Sequence, residues 1–442
     1  MCADRLQEIA AAVRSGRLNP VELVEQALQR AEECKRLNAV VHLDAEGARK
    51  AAAEHPRTGA LAGVPVLVKE IIEVEGLPYR CGSAAMDGIG RSDAEVVSRL
   101  RAAGAIIIGL SHTHEFAYGC TGTSNRAGPC RNPHDLTRMT GGSSSGAGAA
   151  VAAGIVPLAL GTDTAGSVRI PAALCGVVGF KPAYGTLPVS GVFPLAQSLD
   201  HVGVLTPTVD DAAYAVAALT DGFRATAPVE PPRLGIVVNE EYLDYTPDVA
   251  TAWSNAISRL QASGATIDDI RLPDWKDSFQ AAADLQGPEA AANHAGRSTE
   301  LYHADVQERL REAAAVPLDR YDVARAKAAA ITKTLNDLLR QVDAVITPTV
   351  LTTAPPIDAV STEAGSRAVR AQLLKNTRLA NLTGHPAITI PLPTTGLPVG
   401  LQVIAIDNNQ AAAIAGWVEA ATRAPTGTAT EGRTTSDGRS PR

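Results

Sequence analysis

The stretch Thr140–Pro182, TGGSSSGAGAAVAAGIVPLALGTDTAGSVRIPAALCGVVGFKP, decides the interpretation of the whole chain. Two Gly/Ser-rich segments, Gly141–Gly148 and Gly161–Ser167, flank a helix of small residues and a short apolar strand. Glycine permits close approach and unusual backbone angles, and serine hydroxyls can act as nucleophiles or hydrogen-bond donors. The stretch therefore predicts a helix–strand unit whose loops carry chemistry.

Short apolar runs bounded by Gly, Pro or polar residues recur on both sides of this stretch. They are typical of buried strands and lie at Val64–Val68, Ala105–Gly109, Ile155–Ala159, Leu234–Val238, Ala344–Thr347, Ala387–Pro391 and Leu401–Ala405. Helical patterns lie between many of them, at Asp93–Ala103, Ala147–Ala153, Asp210–Leu219 and Pro247–Ser263. This alternation predicts an α/β fold with one extended, largely buried sheet covered by helices.

Two regions depart from the alternation. Residues 274–341 lack strand signals and are rich in Ala, Glu, Arg and Gln, which predicts a helical insertion. The insertion could cap a substrate cleft or form a layer that only covers the sheet. Residues 424–442 contain no large apolar side chain, which predicts a flexible C-terminal tail. We therefore assign residues 1–423 to one domain.

Composition and charge exclude several classes of protein. The 442 residues are 45% hydrophobic, as in folded globular proteins, and 40 Lys+Arg against 47 Asp+Glu give a net charge of −7. Without a basic cluster, nucleic-acid and membrane partners are not expected. Neither a membrane-spanning run nor a signal-peptide pattern is present, so we expect a cytoplasmic protein.

Neither a metal nor a cofactor is expected. The six cysteines contain no CxxC pair. His112, His114 and Glu115 lack a further ligand at a suitable spacing.

Two other interpretations of the Gly/Ser stretch fit less well. A phosphate-binding loop would need GxxxxGK[ST] or a third glycine after Gly146-Ala-Gly148, and neither is present. Gly142–Gly146 matches the GxSxG elbow of α/β-hydrolases with Ser144 at its centre. That mechanism needs an acid and then a histidine in a terminal catalytic loop, which none of the later histidines provides: His201, His294, His303 and His385.

The same stretch resembles the signature block of the amidase signature family, GGSSGGS…GTDTGGSIRIPA…CGVVGLKPTYG. Upstream, Gly63–Glu70 and Gly76–Pro78 are similar to the GxPxxVKD…GLP stretch of that family. Further landmarks follow in the family's order at Ser198–His201, Asp343–Pro348, Asn381–Pro386 and Gly396–Gln402. The resemblance covers about residues 5–422 and implies a single large domain with a central mixed, mostly parallel sheet and helices on both faces.

The resemblance also implies a Ser–Ser–Lys triad. Ser167 would be the nucleophile, Ser143 the bridging serine on a cis peptide bond, and Lys69 the base. A lysine can act as a base near neutral pH only if its pKa falls from about 10.4. Lys69 follows the apolar run Val64–Val68, so it would lie at the end of a buried strand, where an ammonium is poorly solvated.

The backbone N–H groups of Thr164, Ala165 and Gly166 are expected to form the oxyanion hole. Ala165 and Ser145 stand where most relatives carry glycine, and these differences bear more on which substrates fit than on the chemistry.

Several neighbouring residues are assigned supporting roles. We expect Asp163 and Arg169 to fix the loop by hydrogen bonds and Ser144 to support the triad. The segment Phe116–Cys120 is expected to line the acyl pocket.

The predicted function is an amidase-type hydrolase that cleaves a carbonyl C–N bond of an amide, and possible substrates include anilides and carbamates. The expected partner is a small, uncharged and fairly apolar substrate, because no basic anchor lies near the motifs. We expect a monomer or homodimer. The alternative is an A-subunit-like component of a glutamine amidotransferase, which would require companion chains.

Overall fold

Fifteen strands lie in the part of the chain that the structure describes, a computed structural model covering residues 5–223, 230–239, 244–272 and 275–423. They are β1 (Val40–Leu43), β2 (Pro65–Lys69), β3 (Pro78–Tyr79), β4 (Gly88–Ile89), β5 (Ile106–Ser111), β6 (Arg131–Asn132), β7 (Asp135–Met139), β8 (Leu158–Asp163), β9 (Val178–Lys181), β10 (His201–Thr206), β11 (Arg233–Val237), β12 (Thr266–Ile270), β13 (Ala344–Pro348), β14 (Ala387–Leu392) and β15 (Val399–Ile404). Eleven of them form one sheet in the order β1-β5-β2-β8-β10-β9-β14-β15-β13-β11-β12. All seven apolar runs that predicted strands lie in or overlap this sheet.

The sheet is mixed, and strand direction follows the chain connections. Parallel pairs join β5, β2 and β8 at one side and β13, β11 and β12 at the other. The six other neighbouring pairs are antiparallel, including β14–β15, which a short connection joins. The expected α/β class and mixed sheet are confirmed. Antiparallel pairing has a larger share than expected, because a buried apolar run has the same pattern in either direction.

Helices cover both faces of the sheet. Within the described ranges they are α1 (Leu6–Arg14), α2 (Pro20–Glu33), α3 (Ala45–Ala53), α4 (Glu95–Ala102), α5 (Ser145–Ala152), α6 (Arg169–Cys175), α7 (Val209–Leu219), α8 (Pro247–Ala262), α9 (Trp275–Asn293), α10 (Ala304–Ala314), α11 (Leu318–Leu338), α12 (Glu363–Leu374), α13 (Arg378–Leu382) and α14 (Asn408–Arg423). Val66 and Val68 of β2 pack in a core with α1, α4 and α7, whereas Leu67 packs in another core with α2, α3 and α5. Because successive strand residues point to opposite faces, the two cores lie on opposite sides of the sheet. None of the described helices is long and apolar enough to cross a membrane.

Three consecutive helices, α9, α10 and α11, connect β12 to β13. Helix α9 packs against the other two and against α13. The described residues from 275 to 341 contain helices and no strand, as the composition of this region predicted. The predicted tail, 424–442, lies outside the described residues.

Helix α5 packs too closely on its surroundings to accept a side chain at Gly146. A Cβ at this position would lie 2.1 Å from the carbonyl oxygen of Ala39 and 2.3 Å from the backbone nitrogen of His112. Both neighbours are backbone atoms, so no side chain can rotate to make room. The small residues of the sequence motif are therefore needed for packing as well as for chemistry.

We predict that Gly146→Ala lowers the free energy of unfolding by about 1–3 kcal/mol, because the backbone on both sides must move. Gly396→Ala is the matched control, since a Cβ there would meet no atom within 4 Å. Denaturant unfolding followed by circular dichroism measures the difference. Equal midpoints for the two variants would contradict the prediction.

Candidate active site

Lys69 ends strand β2, and its side chain is completely buried. Its Nζ donates hydrogen bonds to Ser143 Oγ (2.6 Å) and to Thr162 Oγ1 (2.8 Å). Thr162 lies near the end of β8, which pairs in parallel with β2. The carboxyl ends of two neighbouring parallel strands therefore hold this amine between two hydroxyl groups.

Burial changes the acid–base chemistry of Lys69. It lowers the pKa of this lysine to about 7, although the negative charges of Asp163, Asp200 and Glu70 act in the opposite direction. The cause is loss of the water that would solvate an ammonium group. Near neutral pH, a substantial fraction of Lys69 is therefore an uncharged amine that can accept a proton.

The peptide bond between Gly142 and Ser143 is cis, as the resemblance implied. The two serines that follow anchor this segment on both sides. Ser144 Oγ donates to the Thr162 carbonyl (3.1 Å) and accepts from the Thr162 N–H (3.2 Å). Ser145 Oγ donates to the carbonyl of His112 (3.2 Å). Ser144 thus has the supporting position expected for it, and Ser145 contacts the segment after β5.

Ser167 lies in the loop between β8 and α6. Its carbonyl oxygen accepts a hydrogen bond from the Ser144 N–H (3.1 Å), and its side chain borders a cavity. The loop is therefore joined to the residue next to Ser143, while Ser143 itself contacts Lys69. The structure brings together the three residues that the sequence assigned to a triad, from three separate segments.

Asp163 fixes the loop that carries Ser167. Its carboxylate accepts from the N–H groups of Gly166 (2.8 Å) and Val168 (3.0 Å) and forms a fully buried ion pair with Arg169 (2.8 Å). Although burial raises the pKa of Asp163, the guanidinium of Arg169 holds that pKa below its usual range. These hydrogen bonds match the structural roles expected for both residues.

Arg169 extends this network to the C-terminal part of the sheet. Its guanidinium donates to the carbonyl of Thr377 (2.8 Å), Oδ1 of Asn381 (2.6 Å) and Oε1 of Gln402 (2.6 Å). A buried charge is tolerated when it is paired and its remaining donors are bonded. Asn381 and Gln402 belong to the downstream landmarks of the sequence, so the network explains in physical terms why those positions accompany the Gly/Ser stretch.

The expected oxyanion hole is only partly matched by the arrangement of N–H groups. Thr164 and Ala165 border the cavity beside Ser167. The N–H of Gly166 is instead bonded to Asp163, so it differs from the predicted role as a donor to the cavity. Gly166 has φ of +124°, and a Cβ there would lie 2.5 Å from Thr377 Oγ1. This glycine therefore serves the backbone path of the loop.

A cavity of about 260 Å³ opens next to Ser167. One wall is formed by residues 117–120, which agrees with the expected acyl-pocket segment except for Phe116. Phe116 is buried and packs against Phe193, with ring centroids 5.0 Å apart. The opposite wall comes from α9, α10 and α11, so the helical region borders the space in front of the serine.

Charged side chains line much of this cavity: Asp284, Arg309, Glu312, Arg320, Arg370 and Arg378. The expectation of a largely apolar site without a basic anchor is therefore wrong. The arginines belong to α10–α13, far from the motifs in sequence, and only packing brings them to Ser167.

Sequence reasoning missed Thr162 and these arginines as site residues. Thr162 lies within the GTDTAGS motif, and its neighbours there could have indicated a role. The arginines occur in helices with an ordinary distribution of charge, which gives no signal that they face a cavity.

Comparison with known proteins identifies the family. A profile described as Amidase matches residues 22–412. The chain is 34% identical to the A chain component of the glutamyl-tRNA(Gln) amidotransferase of Deinococcus radiodurans, over 93% of this chain and 96% of that protein. It is 36% identical to the 2-amino-5-chloromuconic acid deaminase of Comamonas testosteroni, over 90% of this chain and 91% of the relative.

A solved structure described as a crystal structure of amidase shares the fold. It superposes with a TM-score of 0.88 at 34% identity, covering 94% of this chain and 99% of the other. The chain belongs to the amidase signature family. This membership supports hydrolysis of a carbonyl C–N bond as its chemistry.

The contact between Lys69 and Thr162 leads to a prediction about pH. The hydroxyl of Thr162 stabilises the ammonium form more than the amine, so Thr162→Val should lower the Lys69 pKa further. A hydrogen bond to a charged group contributes about 1.5–3 kcal/mol, which corresponds to a shift of about one pH unit or more. The acid limb of kcat/KM should move to lower pH, whereas Thr162→Ser should leave it in place. A shift to higher pH would contradict the assignment.

Proposed function

We propose that this chain hydrolyses a small amide through an acyl-enzyme on Ser167, with Ser143 and Lys69 transferring the proton. The observation that carries the proposal is the 2.6 Å hydrogen bond between Lys69 Nζ and Ser143 Oγ in a buried site next to the Ser167 loop. A serine hydroxyl is too weak an acid to attack an amide unaided and needs such a base.

In the first half of the reaction, the uncharged amine of Lys69 takes the proton of Ser143 as Ser143 takes that of Ser167. Ser167 Oγ forms a bond to the substrate carbonyl carbon, and the carbonyl oxygen becomes an oxyanion. When the C–N bond breaks, the proton returns through Ser143 to the leaving nitrogen, which departs as ammonia or an amine. In the second half, water attacks the ester, its proton follows the same path, and Ser167 is released with a carboxylic acid.

The oxyanion would be stabilised by backbone N–H groups beside Ser167. Thr164 and Ala165 border the cavity and supply the candidate donors, while Gly166 is excluded by its bond to Asp163. Removal of one such donor typically costs about 3–4 kcal/mol of transition-state stabilisation. The methyl group of Ala165 narrows the cavity compared with glycine and would restrict the substrates that fit. Anilides and carbamates present the same type of carbonyl carbon and remain within the proposed range.

The Deinococcus relative supports a second candidate function, because it is a component of an amidotransferase and matches nearly the whole chain. In this alternative, the chain would release ammonia only within an assembly with companion chains. Activity of the purified chain alone separates the two functions, since an autonomous amidase needs no companion.

We predict that the purified chain releases ammonia or amine from at least one member of a panel of primary amides, anilides and carbamates. Ser167→Ala, Ser143→Ala and Lys69→Ala should each lower kcat by at least about 10³-fold, because groups that act as one unit fail together. Ser98→Ala on the exposed face of α4 is the matched control and should keep full activity. If wild type and Ser167→Ala are equally inactive on the whole panel, the autonomous amidase is wrong.

The pH dependence of kcat/KM provides an independent prediction. Because burial lowers the pKa of Lys69 to about 7, the amine is protonated, and useless as a base, below that pH. Activity should therefore fall about tenfold per unit as the pH decreases below 7. Circular dichroism at each pH controls for unfolding. A profile that stays flat down to pH 5 would rule out Lys69 as the base.

A further inference from the structure

The cavity in front of Ser167 contains more positive charge than its own acidic residues neutralise. Arg320 forms an ion pair with Asp284 (2.6 Å). Glu312 lies 3.2 Å from Arg367, which is outside the cavity. Among the residues that the structure describes, no carboxylate lies within ion-pair distance of Arg370 or Arg378.

Two of the cavity arginines are nearly buried and still have unsatisfied donors. Arg378 is 9% exposed, and its Nε has no hydrogen-bond partner. Arg309 is 6% exposed; its Nη2 bonds to Asp305, while its Nε and Nη1 have no partner. Buried donors are almost always bonded in folded proteins. These free N–H groups therefore indicate that something is bound here when the site is in use.

The orientation of Arg378 is fixed without an acidic partner. Its guanidinium carbon lies 4.2 Å from the ring centroid of Phe279, and its Nη1 donates to the Phe279 carbonyl (3.1 Å). Stacking on an aromatic ring holds the planar group in place and leaves an edge for a ligand. The site is thus organised before any ligand arrives.

The arginines also raise one another's free energy in the empty cavity. Burial, together with the like charge of Arg370, lowers the pKa of Arg378 to about 10. Burial and the charge of Arg309 lower the pKa of Arg370 as well. An anion placed among them would remove both effects, because it supplies the missing counter-charge.

We infer that Arg370 and Arg378, supported by Arg309, bind a carboxylate group of the substrate. This inference rests on the proposed amidase function and names its substrate class: small amides that carry a carboxylate on the part lying in the cavity. A singly charged carboxylate suits the site better than a phosphate, because Asp284 and Glu312 also border the cavity and would repel a dianion more strongly.

Binding tests the anion site without relying on catalysis. Isothermal titration of the Ser167→Ala protein uses three probes: succinate, its uncharged diamide succinamide, and inorganic phosphate. Succinate should bind at least tenfold more tightly than either of the others. Equal binding of succinamide would overturn the inference, and equal or tighter binding of phosphate would overturn the assignment to a carboxylate.

Substitutions locate the binding to the cavity. Arg378→Gln and Arg370→Gln, each in the Ser167→Ala background, should weaken succinate binding at least tenfold. Arg370 is only half-buried, so its variant tests the site even if Arg378→Gln does not fold. Arg311→Gln removes the same charge from an exposed position on α10 outside the cavity and should not change binding. Unchanged affinity in a folded Arg370→Gln protein would overturn the inference.

Turnover separates this inference from the proposed function. With Ser167 intact, kcat/KM for succinamic acid should exceed that for butyramide at least tenfold, and Arg370→Gln should remove the preference. Hydrolysis of both amides at equal rates would refute the carboxylate site and leave the amidase standing. Succinate binding that depends on Arg370, in a protein inactive on every amide, would support the site and refute the amidase.

Discussion

Burial of a single amine, that of Lys69, is the constraint on which the arrangement of this protein depends. A lysine in water is protonated and cannot act as a base near neutral pH. The fold removes the water by ending β2 inside the sheet, and it replaces the lost hydrogen bonds with the hydroxyls of Ser143 and Thr162. The parallel pairing of β2 with β8 places those groups side by side, so the topology of the sheet sets the geometry of the base.

A second buried charge keeps the nucleophile loop in register with this amine. Asp163 binds the loop through backbone N–H groups, and Arg169 connects Asp163 to Asn381 and Gln402. The charges of Lys69 and Asp163 are also coupled, because the carboxylate raises the lysine pKa against the effect of burial. The same ion pair therefore shapes the loop and moderates how far the lysine pKa falls.

The sequence predicted the inner part of the fold better than its edges. The seven apolar runs that lie in the sheet are fully buried strands, whose composition leaves few alternatives. Strand β12 was missed because it lies at the edge with one neighbour, β11, and can carry Asp268 and Asp269. Strand β8 extends beyond the predicted Ile155–Ala159 to Asp163, since its polar end is satisfied by Lys69 and Arg169.

The same distinction holds for the site. The Gly/Ser motifs and the strand-end lysine are local patterns, and they identified Lys69, Ser143 and Ser167 as a group. The N–H direction of Gly166 depends on where the Asp163 carboxylate settles, which no pattern of residue types contains. The arginines of the cavity depend on how α10, α12 and α13 pack, and charge spacing along an isolated helix does not reveal the face that will meet Ser167.

The long sequence separation within the Arg169 network has a consequence for the order in which the protein matures. Ribosomes make chains from the N-terminus, and the loop with Ser167 emerges long before Thr377, Asn381 and Gln402, to which Arg169 bonds. Contacts between residues so far apart also form slowly, because a large loop must close first. The hydrolytic centre is therefore among the last parts to be assembled, and a partly synthesised chain carries its nucleophile without the frame that positions it.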